Sequence, residues 1–226
     1  MTGQQAAVVL ALLSAVAYTV AAVAQERAAT QQSTATRIPR AVALTGVGAA
    51  LHGVALHFGS VGVVQALGTL TLLAALPIHA LAHRVRVVRA AWWHAGLTAT
   101  GLTCVIVLAA EPARPAALTG GETAALVVVT VAGASTLTCL GWAARGPRLR
   151  ALLLATAAGS AFGAASVLGK SELARIGQDG PPGLPGAVGI AVLAFAGFAL
   201  SQRSYRGAGL AAPLAAASVA NPVAAT

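Results

Sequence analysis

Acidic residues are nearly absent from this sequence: Glu26, Glu111, Glu122, Glu172 and Asp179 are all there are, and charged residues of both signs make up 8% of 226 positions. A soluble domain is roughly one-quarter charged. The shortage excludes a water-soluble fold, because too few polar groups remain to coat a surface. Cysteine is scarce too. Cys104 and Cys139 lie in apolar runs with no His, Asp or Glu at ligand spacing, which argues against a disulfide framework and against a metal site. No His-Glu-x-x-His, no Gly-x-Ser-x-Gly and no carboxylate pair inside an apolar run occurs. Enzymatic catalysis therefore has no residues to rest on, and no cofactor is expected.

What fills the chain instead is apolar. Hydrophobic residues are 58% of the total and the mean hydropathy is +0.82. A helix needs about 20 mainly apolar residues to cross a bilayer, and such stretches occur at 5–24, 41–58, 61–82, 91–110, 123–143, 151–169, 186–202 and 208–225. The expected fold is all-α, a polytopic transmembrane bundle of about eight spans. Phe58, Gly59 and Ser60 make a tight turn between the second and third, which predicts a helical hairpin. The longest linkers, Gln25 to Pro39 and Lys170 to Pro185, are rich in Gln, Thr, Ser, Gly and Pro and fold no domain. Gly180 to Gly186 echoes a collagen triplet but is far too short to form one.

The net charge of +9 comes from short clusters between apolar runs. That pattern is explained by membrane topology and excludes nucleic acid as the partner. Odd-numbered loops hold Arg27, Arg37, Arg40, Arg84, Arg86, Arg89, Arg145, Arg148, Arg150, Arg203 and Arg206; even-numbered loops hold only Arg114, Lys170 and Arg175. Basic residues in short loops mark the cytoplasmic side, so the N-terminus is expected outside and the odd loops in the cytoplasm. Trp92 and Trp93 follow a basic cluster as interfacial anchors do. Ala22-Val23-Ala24 resembles a signal cleavage site, but Met1 to Gln5 lacks the positive charge of a signal peptide, so the first span is read as uncleaved.

The chain also echoes itself. Ser14-Ala15-Val16-Ala17-Tyr18 matches Ala158-Gly159-Ser160-Ala161-Phe162 at an offset of 144. Phe58 to Val63 matches Tyr205 to Leu210 at an offset of 147. Near-equal offsets divide the chain into a first repeat of five spans, 1–145, and a second of three, 146–226. An odd span number inverts the second copy, the build of many secondary transporters.

Leu56-His57-Phe58-Gly59-Ser60-Val61-Gly62-Val63-Val64-Gln65-Ala66-Leu67, with Ala24-Gln25-Glu26-Arg27 and Ala220-Asn221-Pro222-Val223, resembles the drug/metabolite transporter superfamily, in particular its bacterial EamA and NIPA-like members. The resemblance implies ten spans in two inverted five-span repeats, or nine in the NIPA-like branch, around a substrate cavity. Ala66 departs from the Pro frequent in the family at that position. Measured against ten spans the second repeat is incomplete, and about two further helices are expected beyond Thr226. The implied function is alternating-access transport of a small metabolite or cation. The alternative is a non-transporting scaffold or an inactive truncated fragment. The implied partners are the bilayer and an unknown small-molecule or ion substrate, with a homodimer left open.

Polar residues deep in spans are costly, which makes Tyr18, His52, Gln65, Gln202 and Asn221 the candidates for a substrate pathway. Each has a plainer role in hydrogen bonds between helices. His52 is either a proton relay or a neutral imidazole bonded to a backbone carbonyl. His57, His79, His83 and His94 fall near interfaces. Ser14, Ser166, Thr69, Thr71 and Ser218 are expected to bond back to their own helices. Pro77, Pro213 and Pro222 free backbone carbonyls or kink their helices. Gly159 with Gly163, and Ala49 with Gly53, are small-residue pairs that favour close helix packing. Gly169-Lys170-Ser171 resembles part of a phosphate loop but has Ala164 where that motif needs Gly.

Overall fold

The computed structural model of the protein describes residues 2–30, 37–68, 70–84, 86–108, 117–176, 183–206 and 208–225. Among these the regular structure is entirely helical: α1 (Gly3–Thr30), α2 (Arg37–Phe58), α3 (Val61–Gly68), α4 (Leu70–His83), α5 (Arg89–Leu108), α6 (Gly120–Ala143), α7 (Pro147–Ile176), α8 (Leu184–Ser204) and α9 (Ala211–Ala225). Six spans are long and apolar enough to cross a membrane: α1, α2, Gly62–Leu81 across α3 and α4, α6, α7 and α8. The chain is thus a multi-pass membrane protein. The count falls short of eight at two places. The expected fourth span coincides with α5, residues 109 and 110 lying outside the described residues. The expected eighth coincides with α9, whose 15 residues rise only about 22 Å against a hydrocarbon core of about 30 Å.

The two linkers are shorter than expected, because α1 continues to Thr30 and α7 to Ile176. Their polar residues stay helical because each finds a partner. Gln25 bonds across to α2 and α8. Glu172 accepts from the Gly183 amide at 2.6 Å and pairs with Arg175, whose Nη2 donates to the Leu118 carbonyl at 2.7 Å. Helix starts follow local chemistry as well. Thr119 caps α6 in a reciprocal box with Glu122: its hydroxyl accepts from the Glu122 amide, and the carboxylate accepts from the Thr119 amide at 2.8 Å.

Helix direction follows from the contacts. Gly3 approaches Phe58 while Gln25 reaches Thr45, so α1 and α2 are antiparallel. Thr19 meets Thr71, and Ala22 packs with Ala75, so α1 and α4 are parallel. In the second half, Leu168 faces Gly189 and Phe162 faces Gly197, so α7 and α8 are antiparallel; Gly159 faces Ala217 and Gly163 faces Asn221, so α7 and α9 are parallel. The Lys170 ammonium lies on the Leu56 and Gly59 carbonyls at 2.9 and 3.3 Å, which joins the late part of α7 to the late part of α2. It follows that α1 and α7 run in opposite directions. The helix ends carrying Arg27, Arg40, Arg84, Arg148 and Arg203 therefore gather on one side.

Lipid tails are as apolar as leucine, so these helices are held by close contact and hydrogen bonds, not by burial from water. Most buried positions are accordingly small, Ala7, Ala11, Ala15, Ala157, Ala158 and Ala161 being nearly inaccessible, with Leu154, Leu168 and Leu193 filling the gaps between them. Val128, Val129 and Leu140 on α6 are exposed as a lipid-facing surface would be. Trp142, also exposed, lies under the Arg150 guanidinium at 3.8 Å on the basic side, an interfacial pairing.

Candidate functional site

Tyr18 on α1 packs its ring against α2 at Gly48, where a methyl group would come within 2.9 Å of Cδ1. His52 lies one turn beyond Gly48, so both face α1, and its ring meets Tyr18 edge-on with centroids 6.3 Å apart. A second aromatic ring repeats the arrangement. Phe162 on α7 packs against α8 at Gly197, where an added methyl would lie 3.0 Å from the ring. Removing the Cβ from α2 and α8 at these points lets a ring lie flat on backbone, and the space around the two rings is one cavity.

The cavity has a volume of about 760 Å³ and is bounded by α1, α2, α3, α4, α7, α8 and α9. Tyr18, His52, Gln65 and Asn221 line it; Gln202 does not. The neighbouring residue Ser201 takes that place and donates to Gln25 Oε1 at 3.1 Å. One residue along a helix turns the side chain by about 100°, enough to move Gln202 off the cavity face. His52 Nε2, Gln65 Nε2 and Asn221 Oδ1 are buried without a hydrogen-bonding partner in the protein. These three residues come from late α2, from α3 and from late α9, all in the half of the bundle nearest Lys170. The expected backbone carbonyl for His52 is not supplied at Nε2.

In the other half Gln25 is satisfied, whereas Gln202 Nε2, off the cavity, is buried without a hydrogen-bonding partner in the protein. Gln25 donates from Nε2 to Thr45 Oγ1 at 2.9 Å and accepts from Ser201, tying α1, α2 and α8 together. Lys170 caps the C-terminal carbonyls of α2 about 16 Å farther along that helix, a favourable place for a cation. Sequence reasoning missed Gln25, Thr45 and Ser201. Gln25 begins the polar run Gln25-Glu26-Arg27, and so reads as the end of a span although it is 5% exposed.

Among the hydroxyls, Ser166 bonds back to the Phe162 carbonyl as expected, but Ser14 donates to Gly48 O at 2.9 Å and Thr71 to Ala15 O at 3.5 Å, both on other helices. Thr69 lies outside the described residues. Pro222 has no N–H to give the Ser218 carbonyl one turn earlier, and both residues line the cavity. Of the two small-residue pairs, Gly159 and Gly163 seat α9. Ala49 and Gly53 instead border the cavity, with nothing within 4 Å of an added Cβ at Gly53. His57 is exposed at the end of α2, edge-on to Phe58; the side chains of His83 and His94 lie outside the described residues. Cys104 and Cys139 are free and exposed.

The fold and the cavity define a multi-pass, all-helical membrane protein with a central, mainly apolar chamber. No protein-family model, no curated protein and no solved structure matches the chain.

Proposed function

We propose that this protein is a secondary transporter of the drug/metabolite type, moving a small solute by alternating access between two inverted halves. The observation that carries the proposal is the cavity itself, which takes helices from both halves and faces three unpartnered polar atoms into a chamber otherwise lined mainly by apolar groups. Binding sites between inverted halves are the common arrangement in such transporters. The opposite directions of α1 and α7 support the inverted repeat, as do Tyr18 on Gly48 and Phe162 on Gly197, aromatic residues from matched positions each lying on a glycine of the next helix. Alternating access also needs contacts between halves that break at each end in turn. Gln25 with Ser201 at one end, and Lys170 with Leu56 and Gly59 at the other, fit that need. On this proposal the protein carries no enzymatic activity.

The deciding experiment is counterflow in liposomes with a panel of radiolabelled sugars, amino acids, nucleosides and magnesium ion. Saturable exchange of at least one member is expected. Its complete absence, from protein shown to be folded and inserted, would leave a scaffold as the reading.

The basic side is proposed to be cytoplasmic, with the N-terminus outside. In a background with Cys104 and Cys139 replaced by Ala, Arg148→Cys should resist an impermeant thiol reagent applied to intact cells, whereas Thr119→Cys should react. The reverse labelling pattern would invert the topology.

A further inference from the structure

Among the described residues, no Asp, Glu, Lys or Arg lines the cavity. Charges lie behind the wall: Lys170 is engaged with the α2 carbonyls, Glu172 with the Gly183 amide and Arg175, and Glu26, buried next to Gln25, belongs to the end opposite Gln65 and His52. An ion placed in the chamber would give up hydration and find no countercharge on the wall, which is costly in low dielectric. A hard cation also needs several oxygen ligands, usually with carboxylates among them. An anion would need several free donors, yet the hydroxyl protons of Ser14, Thr71 and Ser166 are spent on backbone carbonyls, and the free Gln65 Nε2 amide carries no charge.

The three unpartnered atoms are of mixed character. Gln65 Nε2 donates, Asn221 Oδ1 accepts, and His52 Nε2 does either according to tautomer. Such a set matches a neutral hydroxyl or amide, which both gives and takes a hydrogen bond. Much of the remaining lining is apolar, with Phe162 on α7 and Phe195 and Phe198 on α8 among it. The mouth is apolar too: Val42 on α2 and Phe195 on α8 border the cavity while 48% and 75% exposed, so the chamber opens on the flank of the bundle where lipid lies.

We infer that the cavity takes an uncharged small molecule with an apolar body and one hydrogen-bonding group, held by Gln65, Asn221 and His52. This specifies the substrate class of the transport reading and rests on it. The ligand enters with its apolar body along the Phe195 side and presents its polar group to the half nearest Lys170.

The test uses a matched series sharing one ring system. In the Cys104→Ala, Cys139→Ala background, Ser218→Cys places a thiol at the cavity wall, and its labelling by N-ethylmaleimide is timed in lipid nanodiscs. Saturating 2-naphthol should slow labelling roughly tenfold, and naphthalene, lacking the hydroxyl, should need about tenfold more to do the same, the worth of one hydrogen bond. The anion 2-naphthoate, the cation 2-naphthylmethylammonium and magnesium ion should leave the rate unchanged. Gln65→Leu should erase the advantage of naphthol over naphthalene. Ser166→Cys serves as a second reporter should Ser218→Cys fail to fold. Protection by the ammonium compound or by magnesium ion, equal protection by all three substituted naphthalenes, or none by naphthol at either reporter would each overturn the inference. Because the readout is thiol protection, it fails independently of counterflow: a positive result here with no exchange in liposomes would remove transport and keep a neutral-ligand site.

Discussion

Gly163→Leu should abolish the folded protein. A Cβ at Gly163 presses directly on the Asn221 carbonyl and lies 3.0 Å from Ala224 Cβ; one at Gly159 meets the Ala217 carbonyl and lies 2.8 Å from Ala217 Cα and 2.9 Å from Ala220 Cβ. These are backbone obstacles, which no change of rotamer relieves. Overpacking a core typically costs about 1–3 kcal/mol, and a whole isobutyl group forced into a backbone contact belongs at or above that range. In lipid, the separated helix loses little by leaving, since apolar surface is as well covered by acyl chains as by α7. The expected result is aggregation or a broad early peak in size-exclusion chromatography, with Gly163→Ala intermediate. Gly133→Leu is the control: nothing lies within 4 Å of a Cβ there, and the position is exposed on α6. A Gly163→Leu protein with wild-type yield and melting temperature would refute the α7–α9 seam. Because Asn221 belongs both to that seam and to the cavity wall, the same contact couples packing to the site.

The opposite balance is expected at Gln65. Replacing it with Leu should reduce transport by tenfold or more, roughly the value of one hydrogen bond to substrate, while leaving the melting temperature unchanged or raised. An unsatisfied buried amide group costs about 1–3 kcal/mol, and Leu of similar size removes that cost. Groups retained at the expense of stability are a mark of function. Gln25→Leu should behave differently, destabilising the protein by about 1–3 kcal/mol, because it removes both interhelical bonds of Gln25 and leaves the buried Ser201 hydroxyl without its acceptor, while Thr45 keeps only the Ala41 carbonyl. Thermal unfolding in detergent, measured beside counterflow, separates the two. Loss of both folding and transport in Gln65→Leu would make that residue a packing element.

The contrast between the glutamines shows what one-dimensional reading captures here. The spans are legible because the bilayer imposes a length of about 20 apolar residues on each crossing, and α1, α2, α6, α7 and α8 overlie the stretches expected for them. Polar residues are read poorly by the same rule. It places Gln25 at a span end because Glu26 and Arg27 follow, whereas tertiary contacts bury it within α1.

What the sequence by itself determined is therefore membrane residence, helical class, the gathering of arginines at alternate helix ends, and a short roll of polar residues to inspect. The tertiary structure decided which of them meet. Ser201 and not Gln202 faces the chamber because a helix turns about 100° per residue. Ala49 and Gly53 open a cavity while Gly159 and Gly163 close a seam, since small residues permit either and only the neighbouring helix settles which. Gln25 joins Ser201 across 176 residues of chain, a separation over which local pattern carries no information about contact.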